Sequence, residues 1–176
     1  METPRLYLRP WKATDREAFR VMGMDPEVMR YFPSLLDAAQ SDALAQRITD
    51  IIAQQGWGFW AVALKETDQF IGFVGLHRQE KESGLPQTPF IEIGWRLARP
   101  YWGHGYAYEA AKAALSYGFE QLHCKKIYAF TAKENIPSQR LMIKLGMKNT
   151  GEDFLHPKIE VGHPLRLHCL YTIERT

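Results

Sequence analysis

The stretch Trp102-Gly-His-Gly-Tyr-Ala107 decides how this chain folds and what it can hold. It lies between an apolar, strand-like run over 90–97 and an alanine-rich segment over 105–122 that has helical spacing. Glycine lets the backbone turn sharply and brings its N–H groups close to a ligand. The start of the following helix adds free N–H groups and a partial charge of about +0.5. The stretch therefore predicts either an anion site, suited to a phosphate, or only a tight turn between strand and helix.

Two common phosphate-binding motifs do not fit this stretch. A Walker loop requires Gly-x-x-x-x-Gly-Lys-Ser/Thr, and no such run occurs in the chain. The dinucleotide fingerprint requires a third glycine three positions after Gly105, where this chain has Tyr108. It also requires an acidic residue about 20 positions further on, and that region reads His123-Cys-Lys-Lys126. Both classes of nucleotide-binding protein are therefore disfavoured.

Length and composition fit one globular domain. The chain has 176 residues and a formal charge of +2, which provides no basic surface for nucleic acid. Its longest apolar run, Phe59–Leu64, is far shorter than the roughly 20 residues that span a bilayer. Because no secretory signal is visible, we expect a cytoplasmic protein that does not act at membranes. In that compartment Cys124 and Cys169 would be buried free thiols, with a disulfide or a nucleophilic thiol as the alternative.

Apolar periodicity predicts a mixed α/β arrangement in the order strand, helices, three strands, helix, strand, helix and two strands. Two signals mark early helix starts, a capping box at Thr14-Asp-Arg-Glu17 and the pair Asp25-Pro26. Further helices are predicted over 37–55, 105–122 and 135–145. Strands are predicted over 5–10, 59–64, 70–77, 90–97, 126–132, 148–152 and 167–173.

At this point the chain resembles the GNAT superfamily of acetyl-CoA-dependent N-acetyltransferases, and more closely the branch of the ribosomal-protein alanine N-acetyltransferases. Trp102-Gly-His-Gly105-Tyr-Ala107 is similar to the superfamily signature Gln/Arg-x-x-Gly-x-Gly/Ala, with tryptophan at its first position. Ile91-Glu-Ile-Gly-Trp-Arg-Leu97 resembles the family's fourth strand. Asn135-Ile-Pro-Ser138-Gln-Arg-Leu141 with Lys144-Leu-Gly-Met147 resembles its Asn-x-x-Ser…Lys-x-Gly-Phe segment. The resemblance covers nearly the whole chain, and three motifs in order make it specific.

The resemblance implies a fold and a cofactor site. The fold would be a single domain over 1–176, with a central, mostly antiparallel sheet splayed between its fourth and fifth strands and flanked by helices. The pantetheine arm of acetyl-CoA would lie in the splay, paired with backbone groups near Leu97 and Ala98, and Asn135 would contact it from the second motif. The N–H groups of 103–107 would bind the pyrophosphate. The cofactor-binding set of the turn is Trp102, Gly103, His104, Gly105, Tyr106 and Ala107.

Acetyl transfer to an amine requires a proton acceptor but no covalent enzyme intermediate, so neither cysteine is needed. Glu92 is the candidate base because it interrupts an apolar strand beside the expected splay, where burial would raise its pKa towards neutrality. The alternative is a structural carboxylate paired with Arg78 or Arg96.

The leaving thiolate of CoA also needs a proton. Many family members have a tyrosine for this purpose where this chain has Met142, and the resemblance to the serine-containing branch implies Ser138 as the acid. The alternative for Ser138 is a first-turn serine bonded to the backbone, and for Asn135 it is an ordinary N-cap. Both readings can hold together.

The acceptor site is the least defined part of the prediction. Tyr31 and Phe32 are candidates for its wall, although such aromatic residues also suit the core. His156, His163 and His168 are spaced too widely for a common zinc motif, so no metal is expected. The acceptor would be a primary amine, either a protein N-terminus or a small molecule, and edge strands near the C-terminus suggest a homodimer. The alternative function is a non-catalytic acyl-CoA-binding module.

Overall fold

The fold is built around one eight-stranded sheet. The computed structural model describes residues 1–175. The strands run in the order β1-β2-β3-β4-β5-β8-β6, and β7 pairs with β8. The strands are β1 (Leu6–Arg9), β2 (Phe59–Leu64), β3 (Phe70–Gln79), β4 (Phe90–Leu97), β5 (Lys126–Ala132), β6 (Lys148–Asn149), β7 (Phe154–Leu155) and β8 (Leu167–Glu174). The α-helices are α1 (Asp15–Met24), α2 (Ala38–Gln55), α3 (Tyr106–Glu120) and α4 (Ile136–Lys144).

The sheet is antiparallel except where β4 meets β5. These two strands are parallel and pair at a single position, Glu92 with Tyr128. From there they run in the same direction towards Leu97 and Ala132 without further paired residues. The predicted splay between the fourth and fifth strands is therefore confirmed. It forms a crevice at the carboxyl ends of two parallel strands, which is where open α/β sheets bind ligands.

The helices cover both faces of the sheet. Helix α3 buries an alanine-rich stripe, so it lies close to the side chains of β3 and β4. On the other face Phe19 of α1 packs against Phe70 and Phe73 of β3. None of the helices within residues 1–175 combines the length and the apolar composition needed to cross a bilayer.

Helix α1 starts where predicted, but for a different reason. The capping box is not formed, because Thr14 has helical backbone angles and its side chain makes no capping hydrogen bond. The buried carboxylate of Asp15 instead accepts the Lys12 N–H at 2.7 Å and pairs with Arg9 at 2.8 Å. An ion pair with β1 therefore fixes the entry to α1.

The helix predicted from Asp25-Pro26 is wrong. Residues 26–32 form turns and bends, in which the Met29 N–H donates to the Asp25 carbonyl at 3.0 Å and the Phe32 N–H to the Met29 carbonyl at 2.8 Å. Val28 and Met29 are buried by these turns, so their apolar spacing is satisfied without a continuous helix.

The C-terminal region also differs from the prediction in detail. Strand β6 is shorter than predicted, since Thr150 leaves the strand and its hydroxyl donates to the Leu170 carbonyl at 3.0 Å. Strand β7 has two residues, too few to produce a periodic pattern. Both cysteines are free; Cys169 is buried as predicted, whereas Cys124 is only partly buried.

Candidate active site

The glycine turn connects β4 to α3 and has the backbone geometry that an anion site requires. Gly103 and Gly105 have left-handed φ angles of +78° and +79°, which residues with side chains rarely adopt. A Cβ added at Gly103 would meet no atom within 4 Å, so the backbone is open to close approach there. Gly105 is the N-cap of α3 and provides no side-chain cap, which leaves the first N–H groups of the helix available.

Arg5 adds a positive charge beside the turn, and sequence analysis did not find it. Its Nη1 donates to the His104 carbonyl at 3.0 Å, across 99 positions of sequence. Its guanidinium also lies 4.6 Å from the ring centre of Tyr106 and pairs with Glu109 at 2.7 Å. No local motif marks Arg5, because the contact depends on β1 lying beside the start of α3.

Backbone groups of β4 beside the splay were predicted to contact the pantetheine arm. The Ala98 N–H already donates to the Ile71 carbonyl of β3 at 2.9 Å. The Leu97 carbonyl accepts the indole N–H of Trp102 at 2.7 Å, so Trp102 braces the turn. Because successive residues of a strand direct their backbone groups to opposite sides, Leu97 and Trp95 turn their N–H groups towards the splay. Trp95 is an addition to the predicted set.

Asn135 and Ser138 lie on the β5 side of the splay, at the start of α4. The side-chain Oδ1 of Asn135 accepts the Ser138 N–H at 3.2 Å, and its side-chain Nδ2 donates to the Thr131 hydroxyl at 2.9 Å. Asn135 is therefore the N-cap of α4, as the alternative interpretation held. Its contact with the cofactor stays a prediction. The Ser138 hydroxyl has no hydrogen bond to the part of the chain that the structure describes. Met142, at the family's tyrosine position, is buried.

Glu92 occupies the one position at which β4 and β5 pair, opposite Tyr128, and it also lies opposite His77 of β3. The Gln79 amide donates to its Oε2 at 2.5 Å. Burial raises the pKa of Glu92 to about 7, and the hydrogen bond from Gln79 offsets only part of that rise. A carboxyl group with a pKa near neutrality can accept a proton at physiological pH and release it again.

The ion pair that sequence analysis left open for Glu92 is not formed. Arg78 pairs with Glu80 at 2.5 Å. Burial alone shifts the pKa of Arg96, and no carboxylate contributes to that shift. Within residues 1–175, Glu92 therefore has a neutral amide as its partner and no cation.

Of the two aromatic residues predicted for the acceptor wall, the structure brings Phe32 to the strand that carries Glu92. Its ring centre lies 4.0 Å from the guanidinium carbon of Arg96, which is four residues after Glu92 on the same face of β4. Tyr31 contacts Arg30 instead, at 5.8 Å. The turns over 26–32, where a helix was predicted, thus place Phe32 against Arg96 of β4.

The three C-terminal histidines do not converge. His156 and His168 have ring centres 4.8 Å apart, whereas the Nδ1 of His163 accepts the Leu165 N–H at 3.1 Å. Burial, with the charges of His168 and Lys158 adding to it, lowers the pKa of His156 to about 4, so its ring is neutral at pH 7. The described residues include no group of three His, Cys, Asp or Glu side chains that could hold a metal ion.

Sequence comparison identifies the family. The family profile described as an acetyltransferase (GNAT) domain matches residues 5–148. The chain belongs to the GNAT acetyltransferase family. The uncharacterised N-acetyltransferase p20 of Bacillus licheniformis is 32% identical over 151 residues, which cover 85% of this chain and 82% of p20. The uncharacterised protein YkkB of Bacillus subtilis (strain 168) is 35% identical over 146 residues, 82% of this chain and 83% of YkkB.

Solved structures give the same fold. A GNAT-family acetyltransferase from Bacillus anthracis superposes with a TM-score of 0.80 at 28% identity, covering 99% of this chain and 97% of that one. Spermidine N-acetyltransferase from Vibrio cholerae, in complex with CoA and spermine, has a TM-score of 0.74 at 20% identity over 96% of this chain and 95% of that one. As a GNAT member, the chain is an acetyl-CoA-dependent acyltransferase.

Proposed function

We propose that this GNAT domain, over residues 1–176, transfers the acetyl group of acetyl-CoA to a primary amine by direct attack in a ternary complex. The observation that carries the proposal is the position of Glu92, a carboxyl group with a pKa of about 7 at the point where β4 and β5 separate. The acceptor is a small-molecule amine or a protein N-terminus.

Backbone groups supply most of the cofactor end in this proposal. The N–H groups of 103–107 bind the pyrophosphate, and the Arg5 guanidinium, which pairs with Glu109, lies beside them. The pantetheine arm lies along Leu97 and Trp95 on one side of the splay, with Asn135 on the other side. The open space at the Cα of Gly103 supports this assignment, because a phosphate can approach the backbone there.

The proton balance defines what the side chains must do. An amine with a pKa near ~10 is mostly protonated at pH 7, so Glu92 takes one proton, directly or through water, before the nitrogen attacks the thioester carbon. The N–C bond forms as the C–S bond breaks. The nitrogen then loses a second proton, and the departing thiolate gains one, so one proton is released in total.

Ser138 is the proposed donor of the proton to the thiolate. It lies in the first turn of α4, its side chain is partly buried, and its hydroxyl is not bonded to the described residues. Met142 has no proton to give and is 1% exposed, so it cannot reach the crevice.

Thiol release from acetyl-CoA with a panel of amines tests the proposal, and peptides with an N-terminal alanine in the panel test the resemblance to the ribosomal-protein branch. We expect release with at least one class of amine, and a rise in melting temperature with CoA but not with NAD. Stabilisation by CoA without release for any acceptor would contradict acetyl transfer and favour an acyl-CoA-binding module.

A further inference from the structure

Arg96 is a partly buried cation, and two of its three guanidinium nitrogens are buried without a hydrogen-bond partner. Its Nε and Nη1 atoms are buried and make no hydrogen bond with residues 1–175. Burial lowers its pKa to about 10, and no carboxylate acts against that shift, so the side chain remains charged at pH 7. A buried charge with unmet hydrogen bonds destabilises a fold. An arrangement of this kind indicates that a group from outside the chain completes it.

Two aromatic rings pack against this guanidinium. The ring centre of Phe32 lies 4.0 Å from the guanidinium carbon, and that of Phe73 lies 5.4 Å from it. The rings cover the guanidinium carbon and Nε and Nη1 are buried, so a ligand would approach the group from its Nη2 end. A guanidinium edge matches the two oxygens of a carboxylate, which it binds through parallel hydrogen bonds.

Arg96 and Glu92 lie on the same face of β4, with Gly94 between them. A Cβ added at Gly94 would lie 3.4 Å from Oε1 of Glu92 and 3.0 Å from the ring of Phe59, so both groups extend over Gly94. Arg96 is two residues beyond Gly94 on the strand, so the Cα atoms of these two residues are roughly 7 Å apart. A ligand that reaches both side chains therefore carries its two polar ends several bonds apart.

We propose that Arg96 binds a carboxylate of the acceptor, so that the enzyme acetylates amines that also carry a carboxylate, such as amino acids. This inference rests on the proposed acetyl transfer, with the amine at Glu92 and the carboxylate at Arg96. One cation balances a singly charged carboxylate, whereas a phosphate dianion would leave an uncompensated charge. A polyamine would bring a second cation towards Arg96 and is disfavoured by repulsion.

Matched acceptors test the carboxylate directly. We would measure kcat/KM for glycine, β-alanine, γ-aminobutyrate and the standard α-amino acids, each beside its carboxamide, and for putrescine and O-phosphoethanolamine. For the best chain length we expect the acid to exceed its amide by about 10²-fold, because hydrogen bonds to a charged group are lost in the amide. Equal rates for acids and amides throughout, or a preference for putrescine or O-phosphoethanolamine, would overturn the proposal.

Variants of Arg96 connect that preference to this side chain. Arg96→Met keeps the length without the charge, and we expect it to lose the difference between acid and amide while keeping its KM for acetyl-CoA. Arg96→Lys retains the charge but not the planar fork, so its preference should be intermediate. Arg47→Met, at an exposed position of α2, is the control and should keep the full preference. Persistence of the preference in Arg96→Met would exclude Arg96 as its source.

A binding measurement separates this inference from the proposed reaction. N-acetyl-γ-aminobutyrate and its amide would be compared by thermal shift, with CoA present. We expect the acid to stabilise the wild type but not Arg96→Met, and the amide to stabilise neither. If no amine supports thiol release and the acid still stabilises only the wild type, the acetyl transfer fails and the carboxylate site stands. Absence of any shift across the corresponding N-acetyl amino acids would overturn the carboxylate site itself.

Discussion

The two ends of the crevice between β4 and β5 are built from different chemical groups. The end that we propose for the cofactor consists mainly of backbone groups, at the turn over 103–107 and the start of α3. The end that we propose for the acceptor consists of side chains on one strand, with Glu92 and Arg96 extending from the same face of β4. A backbone site is lost only when a substitution changes the path or accessibility of the chain. A side-chain site can be altered by a single replacement, so the two functions should be separable by mutation.

The largest expected effect is at the acceptor end. Glu92→Gln keeps the shape of the side chain but removes its proton acceptor, so turnover at pH 7 should fall by roughly 10²–10⁴-fold. Binding of CoA should be almost unchanged, because the cofactor end is backbone. Steady-state kinetics and CoA titration of the same variant would measure both quantities.

The pH profile and a control sharpen this prediction. Activity of the wild type should rise as Glu92 ionises with a pKa of about 7, and the deficit of Glu92→Gln should shrink at high pH, where the amine loses its proton unaided. Glu66→Gln, in the exposed turn between β2 and β3, should behave as the wild type. Near-normal turnover of Glu92→Gln at pH 7 would place the base elsewhere.

The same substitution should stabilise the fold at neutral and alkaline pH. The folded pKa of Glu92 is about 7 against 4.5 for the free side chain, so ionisation costs more in the folded state than in the unfolded state. This cost is absent below the lower pKa, grows between the two values and is complete above the upper one. Each pKa unit corresponds to about 1.4 kcal/mol, so the difference can reach about 3 kcal/mol.

Denaturant unfolding of the wild type and Glu92→Gln at about pH 5 and about pH 8 would measure this cost. The free energy of unfolding of the variant should exceed that of the wild type by a larger margin at the higher pH. A margin that does not change with pH would show that Glu92 has an ordinary pKa, and its case as a base would lose its physical support.

Sequence reasoning was most successful where the signal is local. Phe59–Leu64, Phe90–Leu97 and Lys126–Ala132 were predicted as strands with the bounds that the structure shows, because each is short and rich in apolar, β-branched or aromatic residues. The turn at Gly103 and Gly105 was found because its glycines and the alanine-rich helix are adjacent in sequence.

The residues that we propose for the acceptor end are only partly marked in the sequence, because their contacts join distant segments. Glu92 stands out as a charge within an apolar strand, whereas the isolation of Arg96 depends on which carboxylates fail to reach it. Phe32 contacts Arg96 of β4 although the helix predicted around it is absent, since tertiary packing determined the turns over 26–32; its role in the acceptor wall stays a prediction. Arg5 contacts the turn at His104 only because the sheet places the start of β1 beside it, and no local motif in the sequence marks this contact.

A matched pair of glycines tests the cofactor end. Gly103 and Gly151 have the same φ of +78°, and an added Cβ would meet nothing within 4 Å at either one. Gly103→Ala and Gly151→Ala should therefore lose similar stability, roughly 1–2 kcal/mol, from the left-handed backbone. Only Gly103→Ala should also lose the stabilisation of about 2.7 kcal/mol that CoA provides at ~100 times its dissociation constant.

Thermal unfolding of both variants with and without CoA would make this comparison. Glu92→Gln provides the opposite control, because it should retain the CoA shift while losing turnover. If CoA stabilises Gly103→Ala as strongly as Gly151→Ala, the pyrophosphate does not approach the turn at Gly103. The proposed backbone site for the cofactor would then be wrong.

The smallest expected effect concerns Asn135, which belongs to the cofactor end but acts through its side chain. Asn135→Ala removes the cap of α4 and should cost about 1 kcal/mol of stability, as should Asp37→Ala at the cap of α2. Only the Asn135 variant should also raise the KM for acetyl-CoA, by about 2–10-fold for one lost hydrogen bond. Asn135→Ser separates the two roles, because serine caps a helix but has no amide, so stability should recover while the KM stays high. If Asn135→Ser restores both, Asn135 serves α4 alone and the pantetheine arm is held by backbone groups only.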